Sequence, residues 1–279
     1  MATDNKVWVP LKYDLMAKRV FGDEKDTRPI KFLLKQILDL EVDDVTILNN
    51  ELIDKPYKDK KYSVDVIAEV KGKKINIEVN TNVNTHVIER NLFYLARIMS
   101  RDLKPSEEES ELHDHIQINF DIEGSHEKPI IEYVMTGRGL DTVLTEKMKI
   151  IRIDVPYFYR KCYNKDASRK EKFIGLFNET SKDKAKILSE GDSDMKSIYD
   201  KIEELSDDMV GVYDRESRKR AEFNYELKEA EEKGLKKGIK QNKKEMVLNL
   251  LKENIDINVI SKVSGLSIDE INNIKNNKE

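Results

Sequence analysis

Apolar residues recur along this chain with two periods, and each change of period marks an element. Residues 11–22, LKYDLMAKRVFG, place Leu11, Leu15, Ala17, Val20 and Phe21 inward on a helix that Gly22 would end. Residues 28–39, RPIKFLLKQILD, carry Pro29 in a first turn and repeat Ile30, Leu33, Leu34, Ile37 and Leu38 at helical spacing, which predicts a core helix. Val42 to Leu52 reads as a strand. The period then drops to two: Tyr62 to Val70 (YSVDVIAEV) and Lys74 to Asn80 (KINIEVN) alternate on either side of Lys71-Gly72-Lys73, a hairpin signal. Helical spacing returns from Thr85 to Arg101 through Val87, Ile88, Leu92, Leu95, Ile98 and Met99. The acidic stretch PSEEESELHD reads as a loop, followed by strands at His115–Ile122 and near Lys149–Val155. Two helices, three strands, a helix and two strands describe an α/β fold.

Beyond Lys170 the pattern is helical, over 170–178, 181–189, 194–205 and a long charged run from about Asp214 to Lys244. Gly234, Gly238 and scarce apolar anchors make part of that run a solvated connector. A core pattern resumes with Met246, Val247, Leu250 and Leu251, then Ile257, Ile260, Val263, Leu266, Ile268, Ile271 and Ile274. Gly265 marks a turn there, and Ser267 to Glu270 a capping box. The expected division is an α/β core over 1–165, a helical extension and connector over 166–240, and a small tail resembling a helix-turn-helix over 241–279. The tail's second helix carries Asp269 and Glu270 and little basic charge, which disfavours reading a DNA groove and favours packing or self-association.

Composition narrows the classes of function. Hydrophobic residues are 38% and charged residues 37% of the chain, no stretch approaches the roughly 20 apolar residues of a spanning helix, and the N-terminus has no leader pattern, so a cytoplasmic protein without a membrane is expected. A net charge of −4 speaks against bulk coating of nucleic acid but allows a local basic groove. The lone Cys162 excludes an internal disulfide and, without a second sulfur, the common structural zinc sites; a nucleophilic role is not expected of it. Gly137-Arg-Gly139 is too short for a phosphate loop. His113-Asp-His115 offers a metal pair without further ligands, and surface histidines are the simpler reading.

The hairpin carries the candidate chemistry. Asp65, Ile67 and Glu69 share one face of the first strand, and Asn76, Glu78 and Asn80 one face of the second. A two-residue Gly72-Lys73 turn of type II′ would set Asp65 opposite Asn80 and Ile67 opposite Glu78, leaving Asp65 and Glu78 diagonal neighbours about 7–8 Å apart with room for one Mg²⁺ or Mn²⁺. A three-residue loop without a bulge would put the two carboxylates on opposite faces. Such an ion would polarise a phosphodiester and activate a water; Asn80 can hydrogen-bond but cannot act as a general base. From the alternation alone, the wet face of an antiparallel sheet is the favoured reading of these polar residues. On the next helix His86, Arg90, Phe93 or Tyr94, Arg97 and Arg101 recur on one face, a stripe suited to a phosphate backbone or to solvent.

Taken together, DLMAKRVFG, VDVIAEVKGKKINIEVN, the Arg90–Tyr94 helix and ISKVSGLSIDEI resemble the recombination-promoting nuclease (Rpn) family, also described as PD-(D/E)XK nuclease family transposases, from about Pro10 to Ile274. The resemblance implies a restriction-endonuclease-like core, a mixed central sheet flanked by helices, followed by a C-terminal helical region. It implies Mg²⁺-dependent cleavage of DNA, with Mn²⁺ able to substitute. Asp65 matches the motif aspartate, Glu78 the acidic residue of its second half, and Asn80 the position usually held by lysine or glutamine. Asp14 matches an acidic residue that serves as a further metal ligand or organiser, with Lys18 one turn on. Arg90 and Tyr94 match recurrent positions of the following helix, and with Lys18 and Arg97 they form the expected DNA contacts. Val64 stands in place of the motif proline, Ala17 in place of a frequent phenylalanine, and Asn80 removes a titratable group. A homodimer, joined through the C-terminal helices, would place two sites across a duplex.

Overall fold

The computed structural model describes residues 7–48, 66–81, 85–102, 108, 112–124, 126–139 and 142–276. The chain forms two compact units, Met1–Gly211 and Val212–Glu279. The first opens with α1 (Asp14–Phe21) and α2 (Arg28–Leu38), then β1 (Thr46–Leu48), β2 (Val66–Val70), β3 (Lys73–Asn80), α3 (Thr85–Met99), β4 (Asp114–Asp121), β5 (Ile130–Thr136) and β6 (Val143–Asp154). It continues with α4 (Val155–Tyr159), α5 (Arg169–Leu176), α6 (Lys182–Ser189) and the start of α7 (Ser193–Lys252). Strand positions 49–52 and 62–65 of the sequence reading lie outside the described residues.

The six strands form one mixed sheet in the order β1-β2-β3-β4-β6-β5. β2 and β3 are an antiparallel hairpin, β3, β4 and β6 run parallel, and β5 pairs antiparallel with β6. The hairpin turns at Lys71-Gly72, with φ of 48° and 70°, the positive pair of a type I′ turn whose twist suits the flanking strands. Val70 therefore opposes Lys73, and Ile67 opposes Asn76. This corrects the expected Gly72-Lys73 turn and its pairing of Ile67 with Glu78 by two residues, a shift that keeps every side chain on its face.

Alternation gives the sheet two unlike faces. Ile75, Ile77, Ile116, Ile118, Phe120, Ile151 and Ile153 form an apolar face. The ring of Phe177 stacks on Phe120 at 4.1 Å and on Phe21 of α1 at 5.8 Å, while Phe173 of α5 meets Phe32 of α2 at 5.1 Å, so α1, α2 and α5 cover that face. The opposite face carries Asn76, Glu78 and Asn80 beside Gln117, Asn119 and Asp121 and lies under α3. There Tyr94 and Ile98 pack with Ile67. The solvated-face alternative does not hold, because all six of these polar residues are buried.

β5 and α4 have no counterpart in the sequence reading. β5 is an edge strand with register irregularities at Val134–Thr136, so its alternation is broken. α4 is one short turn capped by the Asp154 carboxylate, which accepts from the Tyr157 amide at 2.9 Å. Residues 166–211 do not form a separate extension: Phe173 and Phe177 belong to the first unit's core, Trp8 stacks on Tyr199 at 5.3 Å, and its indole N–H donates to the Glu179 carbonyl at 3.0 Å. The helices expected at 194–205 and 214–244 are parts of the single helix α7.

In the second unit the end of α7 meets α8 (Ile257–Ser264) and α9 (Ile268–Asn276). Val247, Ile260 and Ile271 are buried together, flanked by Leu250, Leu266 and Ile274. Gly265 at φ 68° closes α8. The Ser267–Glu270 box is formed in both directions, with Ser267 N to Glu270 Oε2 at 2.8 Å and Glu270 N to Ser267 Oγ at 3.2 Å.

Candidate active site

β3 and β4 run parallel and in register, so Glu78 sits beside Asn119 and Asn80 beside Asp121 near their carboxyl ends. Glu78 is 3% exposed, Asn80 2% and Asp121 0%. Leaving a buried polar group unmatched costs about 1–3 kcal/mol, and a network answers most of that cost here. Asn80 Nδ2 donates to Asp121 Oδ1 at 2.9 Å. The Asn80 carbonyl accepts from Arg90 Nη2 and from Asn91 Nδ2, each at 3.2 Å. Asn91 Nδ2 also donates to Asn119 Oδ1 at 2.8 Å, and Gln117 Nε2 reaches the same oxygen at 3.0 Å. The amide of Asn76 donates to Glu78 Oε1 at 3.3 Å.

Asp121 anchors the far side. Its Oδ2 receives Arg152 Nε and Nη2, both at 2.9 Å, and stands 3.0 Å from His126 Nε2. This charge-assisted pairing compensates the buried carboxylate and fixes which way the Asn80 amide points. The Oδ1 atoms of Asn76 and Asn91, Gln117 Oε1 and His126 Nδ1 remain buried without a hydrogen-bond partner. Three of the four are hard oxygens, two of them on side chains bonded to Glu78 and Asn80 and the third on Gln117 beside Asn76, donors of a kind that suits Mg²⁺ or the waters it carries. Among the described residues no three His, Cys, Asp or Glu side chains gather as a metal set.

The other expected site residues are spread over several places. Asp65 lies outside the described residues. Asp14 is exposed in the first turn of α1, where its Oδ1 accepts the Leu15 amide at 2.8 Å, and Lys18 is half-buried one turn later. Arg90 is exposed, with its guanidinium 5.8 Å from the Tyr94 ring, and Arg97 lies 5.8 Å from the ring of the exposed Phe93. Tyr94 itself is buried with Ile67 and Ile98; of the two aromatic alternatives on the stripe, Phe93 is the one facing solvent. Asn91, Asn119, Asp121, His126 and Arg152 were not anticipated. The signal for the β4 residues was present, since Gln117, Asn119 and Asp121 alternate in HIQINFDI with the same amide and acid character as β3.

The surface reading of His113-Asp-His115 is corrected for His115, which is fully buried. Both rings turn to Asp102, His113 Nδ1 at 2.9 Å and His115 Nε2 at 3.5 Å, and Lys74 forms an ion pair with the same carboxylate. Burial pushes the Asp102 pKa up, but the donors from Lys74 and His113 outweigh it and hold the group below its ordinary value. Burial pulls the His115 pKa below the ordinary value against the attraction of Asp102. The folded chain thus keeps His115 neutral, whereas the unfolded chain takes up a proton as pH falls through about 6.5. Stability contributed by His115 is present above that pH and declines below it, by at most about 1.4 kcal/mol per pH unit. Asp102 acts in the same direction but only in the carboxylate range. Urea titrations should show a lower midpoint at pH 5.5 than at pH 7.5, with a flatter dependence in His115→Gln; identical slopes would remove His115 from this account. Cys162 is buried and its thiol is pushed up to about 12 by burial, which agrees with an inert role.

A mixed sheet with helices on both faces, and acid and amide side chains at the carboxyl ends of its parallel strands, defines an α/β protein of the restriction-endonuclease-like class. The family model for the PD-(D/E)XK nuclease family transposase matches residues 11–232, and the chain belongs to that family. No curated protein and no solved structure matches the chain. Among the described residues no helix is long and apolar enough to cross a membrane.

Proposed function

We propose that this protein is a divalent-metal-dependent endonuclease that hydrolyses phosphodiester bonds in DNA. The observation carrying this reading is the buried Glu78 carboxylate inside a polar network that leaves neighbouring amide oxygens without partners, on the strand where the family places its second acid. Val66 pairs with Ile77; Asp65 precedes the first of these in sequence and Glu78 follows the second. Asp65 and Glu78 would hold Mg²⁺ or Mn²⁺, with Asp14 of α1 as the supporting acid and the unpartnered amide oxygens of Asn76 and Gln117 receiving its waters. When bound, the metal supplies Lewis-acid polarisation of the phosphate and a water of lowered pKa. Arg152 and His126 keep Asp121 compensated, Asp121 fixes the Asn80 amide, and the remaining N–H of Asn80 is available to a water or phosphate oxygen. Lys18, Arg90 and Arg97 supply positive charge for the DNA backbone around the site, with Tyr94 supporting α3 from beneath.

A second reading is favoured by the hydrogen bonds of Asn80. Its carbonyl is held by Arg90 and Asn91 and its amide by Asp121, so the residue at the usual lysine position acts as a knot in the network. A chain of this kind would bind DNA or pair with an active relative without cutting. Supercoiled plasmid incubated with Mg²⁺, Mn²⁺ or EDTA decides between them. The nuclease reading expects nicking in both metals and none in EDTA. Binding without nicking, together with cleavage gained in Asn80→Lys, would establish the second reading instead. For a double-strand cut we propose a pair of chains joined through the C-terminal helices, where Val259 and Val263 of α8 and Ile268 of α9 are exposed.

A further inference from the structure

Between Lys233 and Lys244 the chain reads KGLKKGIKQNKK, six lysines without one acid, all on α7 within the second unit. Lys236, Lys240, Lys243 and Lys244 line a groove of about 610 Å³ against α9. The apolar side chains of Ile239, Leu266 and Ile274 also line it. Its acid is Glu270, whose carboxylate already accepts from Ser267 N at 2.8 Å and Ser267 Oγ at 2.9 Å.

Several lysines of the first unit, and Lys233 at the start of the run, which pairs with Glu229 at 2.6 Å, have their charge answered by a neighbouring acid. Lys73 pairs with Asp114 at 2.7 Å, Lys149 with Glu132 at 2.9 Å and Lys196 with Asp200 at 2.9 Å. Of the four groove lysines, Lys243 is close enough to Glu270 to add to the Ser267 hydrogen bonds in holding its carboxyl below the ordinary value, and among the described residues Lys236, Lys240 and Lys244 form no ion pair. Lys236, Lys240 and Lys244 follow one another at i, i+4 and i+8, so like charges repel along one helical row. A helix concentrates charge in this way at its own expense unless an anion shares the field. The row spans about 12 Å, over which one strand of a duplex presents roughly three phosphates.

We propose that this groove is a phosphate clamp for duplex DNA, carried by α7 and not by α9, whose first turn holds Asp269 and Glu270. Lysine offers a point charge without the planar fork that reads guanine, so the clamp is indifferent to sequence and tethers substrate without selecting it. The choice of DNA over other polyanions rests on the nuclease reading; the site itself rests on charge complementarity alone.

The test measures binding of the full chain to a fluorescent 25-base-pair duplex in EDTA, where cleavage plays no part. The variant with Lys236, Lys240, Lys243 and Lys244 all changed to glutamine should bind at least about tenfold more weakly at 100 mM KCl, and its slope of log affinity against log salt should fall by about 3. The corresponding four arginine substitutions should keep the slope. A control variant with glutamine at Lys165, Lys170, Lys184 and Lys186 makes the same change in net charge elsewhere and should match wild type. Far-UV circular dichroism confirms that each remains helical. An unchanged slope in the groove variant, an equal loss in the control, or a loss of binding to phosphatidylserine vesicles with DNA binding intact overturns the clamp. Wild type failing to bind the duplex overturns it too. A clamp confirmed in EDTA alongside absent nicking in Mg²⁺ would instead count against the catalytic reading alone.

Discussion

Exchanging Glu78 for glutamine is expected to lower plasmid nicking at least about a hundredfold while leaving the fold in place. The amide has the size of the carboxylate and keeps an oxygen for the Asn76 amide, which stands 3.3 Å from Glu78 Oε1, so packing on the polar face survives. What disappears is the negative charge that would hold a divalent cation, and loss of groups that merely support a metal ligand already costs about 10- to 100-fold. Nicking in Mg²⁺ and in Mn²⁺, Mn²⁺ titration calorimetry and circular dichroism together check this. Asp65→Asn should behave alike. If Glu78→Gln cuts at the wild-type rate with its fold intact, the carboxylate is no part of the chemistry and the site must be sought elsewhere.

How much of this was legible in the sequence differs from element to element, for physical reasons. The β2–β3 hairpin was legible because period-two alternation is local, and so was the face shared by Asn76, Glu78 and Asn80. The turn was misplaced because Lys71 takes a positive φ that is uncommon for a lysine, while glycine alone suggested a type II′ start. The β4 half of the site was hidden. Gln117, Asn119 and Asp121 alternate as any half-exposed strand does, and only parallel pairing with a strand some forty residues earlier, under α3, makes them neighbours of the hairpin. Arg152 and His126 come from further still, and no local pattern joins them to Asp121. The apolar period that locates a helix lapses between 205 and 214 and again after Lys244, so the sequence divides there, yet one helix of 60 residues runs through both places. Ser267 and Glu270, three residues apart, formed the box their spacing required.

Replacing Phe177 by alanine should destabilise the first unit by about 3–5 kcal/mol, the range for a large aromatic removed from a well-packed core. Phe177 joins three elements that sequence keeps apart. Its ring stacks on Phe120 of the sheet at 4.1 Å and on Phe21 of α1 at 5.8 Å, and meets Phe173 of α5 edge-on at 5.7 Å. Its carbonyl accepts the Lys12 amide at 2.9 Å, so the backbone there also ties the segment before α1 to the end of α5. Each aromatic contact adds about 0.5–1.5 kcal/mol beyond area burial, and the void left by alanine cannot close because rings from three elements border it. Phe177→Leu, which fills part of that volume, should lose less. Urea denaturation followed by circular dichroism measures both. The effect on chemistry should be the reverse of the Glu78 variant, since Phe177 lies on the apolar face and touches nothing in the polar network. Nicking per folded molecule should therefore persist in Phe177→Ala at low temperature, while Glu78→Gln keeps stability and loses nicking. A loss below about 1 kcal/mol in Phe177→Ala would show that this aromatic cluster does not hold α1 and α5 to the sheet, and the division of the sheet into a structural and a chemical face would fail with it.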